Sequence, residues 1–190
     1  SFREYLGGLE RGGGGELEQL CNAITTNLTA FFRERHHFEE LARTLLPSIM
    51  RRNAATRRVR IWSAGCSTGE EPYSIAMMWH EQLERRESAA KVQIFATDIS
   101  KHAIETARAG VYPANIATDV SPERLARFFD QDPDGTFRVR RSIRDLVVFS
   151  EHDVGKDPPF SKLDLLVCRN LLIYLTGPLK NRLFQIFHYA

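Results

Sequence analysis

The feature that most constrains this chain is a repeat of strand, turn and helix that begins at Val59. Val59-Arg60-Ile61-Trp62-Ser63-Ala64 reads as a buried strand, and a helix follows from about Glu70, with Pro72 in its first turn where a missing N–H is tolerated. A second strand spans Val92 to Thr97 and ends at Asp98, after which Ser100 caps a helix that Gly110 closes. Residues 146–150 and 163–168 supply two more strands, and a last helix starts near Pro178. Strands separated by helices join as parallel neighbours, so the spacing predicts an α/β fold of three layers, α/β/α, around a parallel sheet. Residues 111–145 break the alternation with a short helix, a turn at Asp132-Pro133-Asp134-Gly135 and the strand-like Phe137-Arg138-Val139-Arg140. They predict a small β-rich insertion.

Upstream, residues 17–50 carry helical spacing, with Leu17, Leu20 and Ile24 on one stripe and Phe38, Leu41, Leu45 and Ile49 on another. Between the stripes, the hydroxyl and amide side chains of residues 25–33 compete for backbone partners and favour a turn. Gly12-Gly13-Gly14-Gly15 reads as a linker or frayed edge. The chain starts and stops abruptly, as a piece of something longer would.

Composition sets the outer bounds. The 190 residues are 43% hydrophobic and 26% charged, which suits one compact unit and excludes general disorder. A net charge of +2 gives no argument for a nucleic-acid partner. Cys21, Cys66 and Cys168 stand far apart, without metal-ligand or disulfide spacing, which fits a reducing, cytoplasmic setting. Apolar runs such as residues 165–168 fall far below the roughly 20 residues of a bilayer span, and no membrane insertion is expected. His36 and His37 are adjacent on a helix and point about 100° apart, so they read as surface or capping residues, and no metal is expected.

In open α/β sheets ligands sit outside the carboxyl ends of the strands. The first loop, Ser63-Ala64-Gly65-Cys66-Ser67-Thr68-Gly69-Glu70-Glu71-Pro72, is neither of the common phosphate-binding patterns, and its small residues suggest a close approach of ligand to backbone. Glu70 and Glu71 stand at a helix N-terminus, where they disfavour a pyrophosphate and favour a cation. Asp98 ends the second strand, where Rossmann-like sites place an acid on ribose hydroxyls. Taken singly, the glutamates read as helix-dipole partners and Asp98 as a turn residue. Their occurrence after consecutive strands points to a nucleoside with a positive group and no phosphate, which describes S-adenosylmethionine.

Four blocks then carry a resemblance: TTNLTAFFRERHHF (25–38), WSAGCSTGEEPYSIAM (62–77), FATDIS (95–100) and LDLLVCRNLLIYL (163–175). In this order they resemble the chemotaxis receptor glutamate O-methyltransferases of the CheR type. The resemblance implies a Rossmann-like class I AdoMet-dependent methyltransferase fold, with residues 1–50 as a helical N-terminal remnant and linker helix and residues 51–190 as the AdoMet-binding domain, the insertion at about 111–145 included. It also implies that the C-terminal strands of the family's sheet are missing here. By the same resemblance the cofactor contacts are Asn27, Thr29, Arg33, Glu71, Asp98, Asp153, Val154, Arg169 and Asn170. Asp153 stands where some members have Asn. The implied partners are methyl-accepting chemoreceptors, through glutamates on their cytoplasmic helices and, in some members, a receptor C-terminal peptide.

The implied chemistry is direct displacement at a sulfonium methyl by a carboxylate. A glutamate with pKa near 4.3 is already ionised, so no general base is needed, and the enzyme supplies alignment, water exclusion and control of charge. Arg33 can fork onto a carboxylate and Tyr174 can donate a hydrogen bond, which makes these two the expected positioning groups. The plainer alternatives are that Arg33 only pairs with Glu71 or the cofactor's carboxylate and that Tyr174 is a core residue with a satisfied hydroxyl. Cys66 and Cys168 are assigned no nucleophilic role. Two basic clusters, residues 51–60 and 138–144, read as solvated faces or as weak, salt-sensitive docking surfaces for acidic receptor helices. A rival reading is a non-catalytic module that senses AdoMet or another nucleotide. A nucleic-acid or small-molecule methyltransferase is disfavoured, because Cys168-Arg169-Asn170-Leu171 occupies the place of the amino-methylation tetrad.

Overall fold

The computed structural model describes residues 29–190. Asn27, the four-glycine run and the stripe at Leu17, Leu20 and Ile24 lie outside the described residues. The chain enters through a turn and the helix α1 (Arg35–Glu40), passes through a π-helical segment (Leu41–Leu45) and continues as α2 (Leu46–Arg52). Then come β1 (Arg58–Ala64), α3 (Glu70–Arg85), β2 (Lys91–Asp98) and α4 (Lys101–Ala109). The insertion follows as β3 (Val111–Tyr112), a 3₁₀ turn (Ala114–Thr118), α5 (Pro122–Phe128), β4 (Phe129–Gln131) and β5 (Phe137–Val139). The short α6 (Arg141–Arg144) leads to β6 (Val147–Glu151), β7 (Leu165–Val167), a 3₁₀ turn (Leu172–Tyr174) and α7 (Gly177–Tyr189).

The main sheet has the order β6-β2-β1-β7 with every pairing parallel, and the insertion forms a separate antiparallel sheet of order β3-β5-β4. Central β1 is covered on both faces, as its apolar run requires. On one face Ser63 reaches α3, and on the other Trp62 meets Phe187 of α7 edge-on at 5.7 Å. The three predicted layers are therefore present. β2 and β6 lie on one side of β1 and β7 on the other, so the winding reverses beside β1 and opens a crevice between the carboxyl ends of β1 and β7.

The N-terminal helix corrects one expectation. Leu45 is 46% exposed, whereas Leu46 is fully buried beside Phe38, Leu41, Ile49 and Met50. The π segment inserts one extra residue into the turn, and everything after it rotates on the helix, so the core stripe continues at Leu46.

Candidate active site at the strand ends

The loop after β1 is built by hydrogen bonds across strand ends. Gly65 and Cys66 donate their N–H groups to the Thr97 carbonyl at 2.8 and 2.9 Å. The Asp98 carboxylate accepts from the Ser67 N–H at 2.8 Å and the Ser100 N–H at 3.0 Å, and its carbonyl accepts from the His152 N–H at 2.9 Å. Asp98 thus ties together the loops that follow β1, β2 and β6. The Ser67 hydroxyl, next to this carboxylate, is buried without a partner.

The glycines of the loop also serve protein packing. A Cβ on Gly65 would lie 3.2 Å from Leu171, and one on Gly69, whose φ is +98°, would lie 2.9 Å from the Ala107 Cβ. Both positions have a positive φ, +77° at Gly65 and +98° at Gly69, which favours glycine, and at Gly69 the close Ala107 Cβ adds a steric reason.

Glu71, near the start of α3, accepts from the Ser63 hydroxyl at 2.8 Å and from Arg169 Nη1 at 3.2 Å. Burial pushes its carboxyl above the ordinary value, while Ser63, Arg169 and the charge of Arg33 pull it back. Glu70 is buried with its carboxylate on the Thr68 hydroxyl; burial raises its pKa too, opposed by Thr68 and by a hydrogen bond from Thr29. Burial also raises the thiol of Cys66, and it lifts Cys168 to about 11, so both remain protonated at neutral pH.

Arg169 follows β7 and makes the densest set of contacts in the crevice. Besides Glu71, its Nη2 donates to the Arg33 carbonyl at 2.7 Å and to Glu34 Oε2 at 2.8 Å, and it lies 3.3 Å from His37 Nδ1. The Arg169 guanidinium also stands 5.1 Å from the centre of the Phe38 ring. Arg169 pairs with Glu71, and Arg33 adds its carbonyl as an acceptor for Arg169 and its charge to the field at Glu71. Asn170 adopts φ +58°, a left-handed conformation that asparagine tolerates. Tyr174 sits on the 3₁₀ turn beyond it, 55% exposed at the rim and not in the core.

The remaining candidates lie in the loop after β6. Asp153 Oδ1 accepts the Gly155 N–H at 2.9 Å and its Oδ2 lies 3.3 Å from Lys156 Nζ, with Val154 beside it. Thr29, Arg33, Glu71, Arg169 and Asn170 are gathered around the start of α3 and the end of β7, and Asp98 stands one strand away. Sequence reasoning missed Ser63, Ser67, Glu34 and His37. Ser63 had a legible signal, as the one hydroxyl in the apolar second half of β1; the others had none.

The basic clusters separate in character. Arg138 pairs with Asp132 at 2.8 Å, Arg140 with Asp130 at 2.9 Å and Arg141 with Asp145 at 3.2 Å, so the insertion's cluster is largely neutralised. Arg51, Arg57 and Arg58 are exposed at the opposite end of the sheet from the crevice.

Comparison with known proteins agrees with this geometry. The chain is 38% identical to a chemotaxis protein methyltransferase of Borreliella burgdorferi, over 99% of this chain and 68% of that protein. It is 41% identical to chemotaxis protein methyltransferase 2 of Pseudomonas aeruginosa, over 97% and 65% respectively. It is also 38% identical to an uncharacterized 104.1 kDa protein of Rhodobacter capsulatus, of which it spans only 18%. The chain thus spans about two thirds of the two methyltransferases and less than a fifth of the third relative. Residues 27–190 match the family described as CheR methyltransferase, SAM binding domain, and the chain belongs to that family.

Proposed function

We propose that this chain is the core of an S-adenosylmethionine-dependent protein-glutamate O-methyltransferase that esterifies glutamate side chains of chemoreceptors in the cytoplasm. The observation that carries the reading is the pair of acids, Glu71 and Asp98, at the carboxyl ends of neighbouring parallel strands, with a third acid at the helix start where a phosphate would otherwise bind. Two further details fit the cofactor. Each Asp98 oxygen takes one N–H and keeps acceptor capacity for ribose hydroxyls, and the partnerless Ser67 hydroxyl beside it is a buried polar atom that a nucleoside would satisfy. When bound, the cofactor supplies an electrophilic methyl on a sulfonium.

The chain's own residues do the rest. Asp98 orients the ribose, and Thr29, Glu71, Arg169 and Asn170 shape the pocket around the methionyl part, with Asn27, Asp153 and Val154 completing it by resemblance. A substrate carboxylate meets repulsion from Glu71 and Asp98, so a cation is needed to hold it for in-line attack. Arg33 is that cation, and the Tyr174 hydroxyl at the rim orients the incoming glutamate. Receptor docking uses the basic residues Arg51, Arg57 and Arg58, and the edge strand β4, beside a depression lined by Pro122, Leu125, Phe129 and Phe137, offers a place for a receptor C-terminal peptide to add as a strand.

The test uses methyl-labelled S-adenosylmethionine with chemoreceptor membranes and counts methanol released by base, because carboxyl esters hydrolyse and N-methyl groups do not. Tyr174→Phe is expected to lower turnover at least tenfold while retaining S-adenosylhomocysteine binding within a few-fold, and Arg33→Ala, at a position also expected to contact the cofactor, to lower turnover at least tenfold and weaken that binding as well. Base-labile counts that stay absent with wild-type chain, despite tight S-adenosylhomocysteine binding, would replace this reading with a sensor.

A further inference from the structure

Residues 29–37, a turn that runs into the start of α1, reach as a strap from Glu70 at the start of α3 to Arg169 after β7, and the strap is attached in two different ways. Its inner half is buried: Phe31 and Phe32 are 2% and 5% exposed, and the Phe32 N–H donates to Ser74 Oγ at 3.0 Å. Phe31 meets the rings of Tyr112 and Phe129 edge-on at 4.9 and 5.5 Å. Its outer half is held mainly by charge. Arg169 fastens it through the Arg33 carbonyl and the Glu34 carboxylate, and His37 lies 3.2 Å from that carboxylate. In this contact the Arg169 and Glu34 side chains are 19% and 41% exposed, so salt can reach it. Phe32 and Glu34 both have left-handed backbones, at φ +53° and +59°, a conformation that neither residue type favours.

One guanidinium therefore joins the crevice wall at Glu71 to the strap at Glu34. We propose that Glu34 and His37, acting through Arg169, are positioning residues that latch the strap over the cofactor crevice and set the rate at which the bound nucleoside leaves. The inference rests on the cofactor reading above. It adds a role for two residues that are not among the expected cofactor contacts and reach that site only through Arg169, and it makes that rate an electrostatic quantity.

The experiment measures dissociation of labelled S-adenosylhomocysteine from the wild-type chain, Glu34→Gln and Glu34→Lys by chase with unlabelled compound, at about 50 mM and about 1 M salt, where the screening length falls to roughly 3 Å. Glutamine still accepts from Arg169, so Glu34→Gln should dissociate about twofold faster; Glu34→Lys places like charges together and should dissociate about fivefold faster at low salt. Salt should speed dissociation from the wild-type chain and slow it from Glu34→Lys, because it screens an attraction in one and a repulsion in the other. General loosening of the turn would raise all rates without reversing the sign of the salt effect, and that result overturns the latch. Binding by the wild-type chain with equal rates in all three proteins overturns the latch alone. Absence of binding by the wild-type chain overturns the cofactor reading and the latch with it.

Discussion

At the scale of single residues, the crevice concentrates acids that burial makes costly. Glu70 shows this most simply, since its carboxylate meets the hydroxyls of Thr68 and Thr29 and burial raises its pKa. A carboxyl whose folded pKa is raised contributes stability that is fully present below its ordinary value of 4.5 and lost as pH rises through the folded value. Glu70→Gln keeps a side chain that can accept from Thr68 and removes the charge. It should raise the urea midpoint at about pH 8 and leave it unchanged below the ordinary glutamate value. A midpoint lowered at pH 8 and unchanged at the low pH would show that the charge is held favourably by the helix start instead. Glu71 carries the same burial but shares it with Arg169, whose removal would strand the carboxylate.

At the scale of elements, the helix entering the domain turns on one extra residue. The pattern Phe38, Leu41, Leu45, Ile49 is a sound α-helical stripe, and a regular helix would bury all four. The π segment at Leu41–Leu45 shifts the phase, so Leu46 is buried completely and Leu45 is left near half exposed. Leu46→Ala should cost about 2–5 kcal/mol in denaturant unfolding and Leu45→Ala less than about 0.5 kcal/mol, whereas an uninterrupted α-helix would reverse the order. The phase was hidden in the sequence because neighbouring leucines make either register plausible, and packing against the core selects one. The glycine loop gives a second case. Gly65 and Gly69 are visible as glycines, but Leu171 and Ala107, the residues a Cβ there would crowd, are far away in sequence.

At the scale of the whole molecule, one core runs from Phe31 through α3 and the main sheet to Phe149, and it includes Tyr112, Phe128 and Phe129 from the insertion. Strap, sheet and insertion are thus positioned by a shared apolar interior. Charge is distributed unevenly around it. The cluster at Arg51, Arg57 and Arg58 lies beside the start of β1, and the seven residues of that strand place it about 20 Å from the crevice. On the proposed function, binding there would steer and hold a receptor without touching the reacting glutamate. Replacing these three arginines by glutamine should flatten the salt dependence of receptor methylation and weaken receptor binding several-fold, with S-adenosylhomocysteine affinity unchanged. Full salt sensitivity in the triple variant would place the docking surface elsewhere.

What the sequence alone determined follows from local chemistry: alternating strands and helices specify the parallel sheet, Ser100 and Gly110 bound α4, and acids follow β1 and β2. These signals lie within a few residues of the feature they create, so they survive in a linear reading. Tertiary structure alone decided which cation meets Glu71, how the strap is fastened and which leucine faces the core. Arg169 finds Glu34 across 135 positions and Glu71 across 98. Such pairings depend on how strand order and helix phase bring distant ends together, and no local pattern of charge or hydrophobicity encodes that.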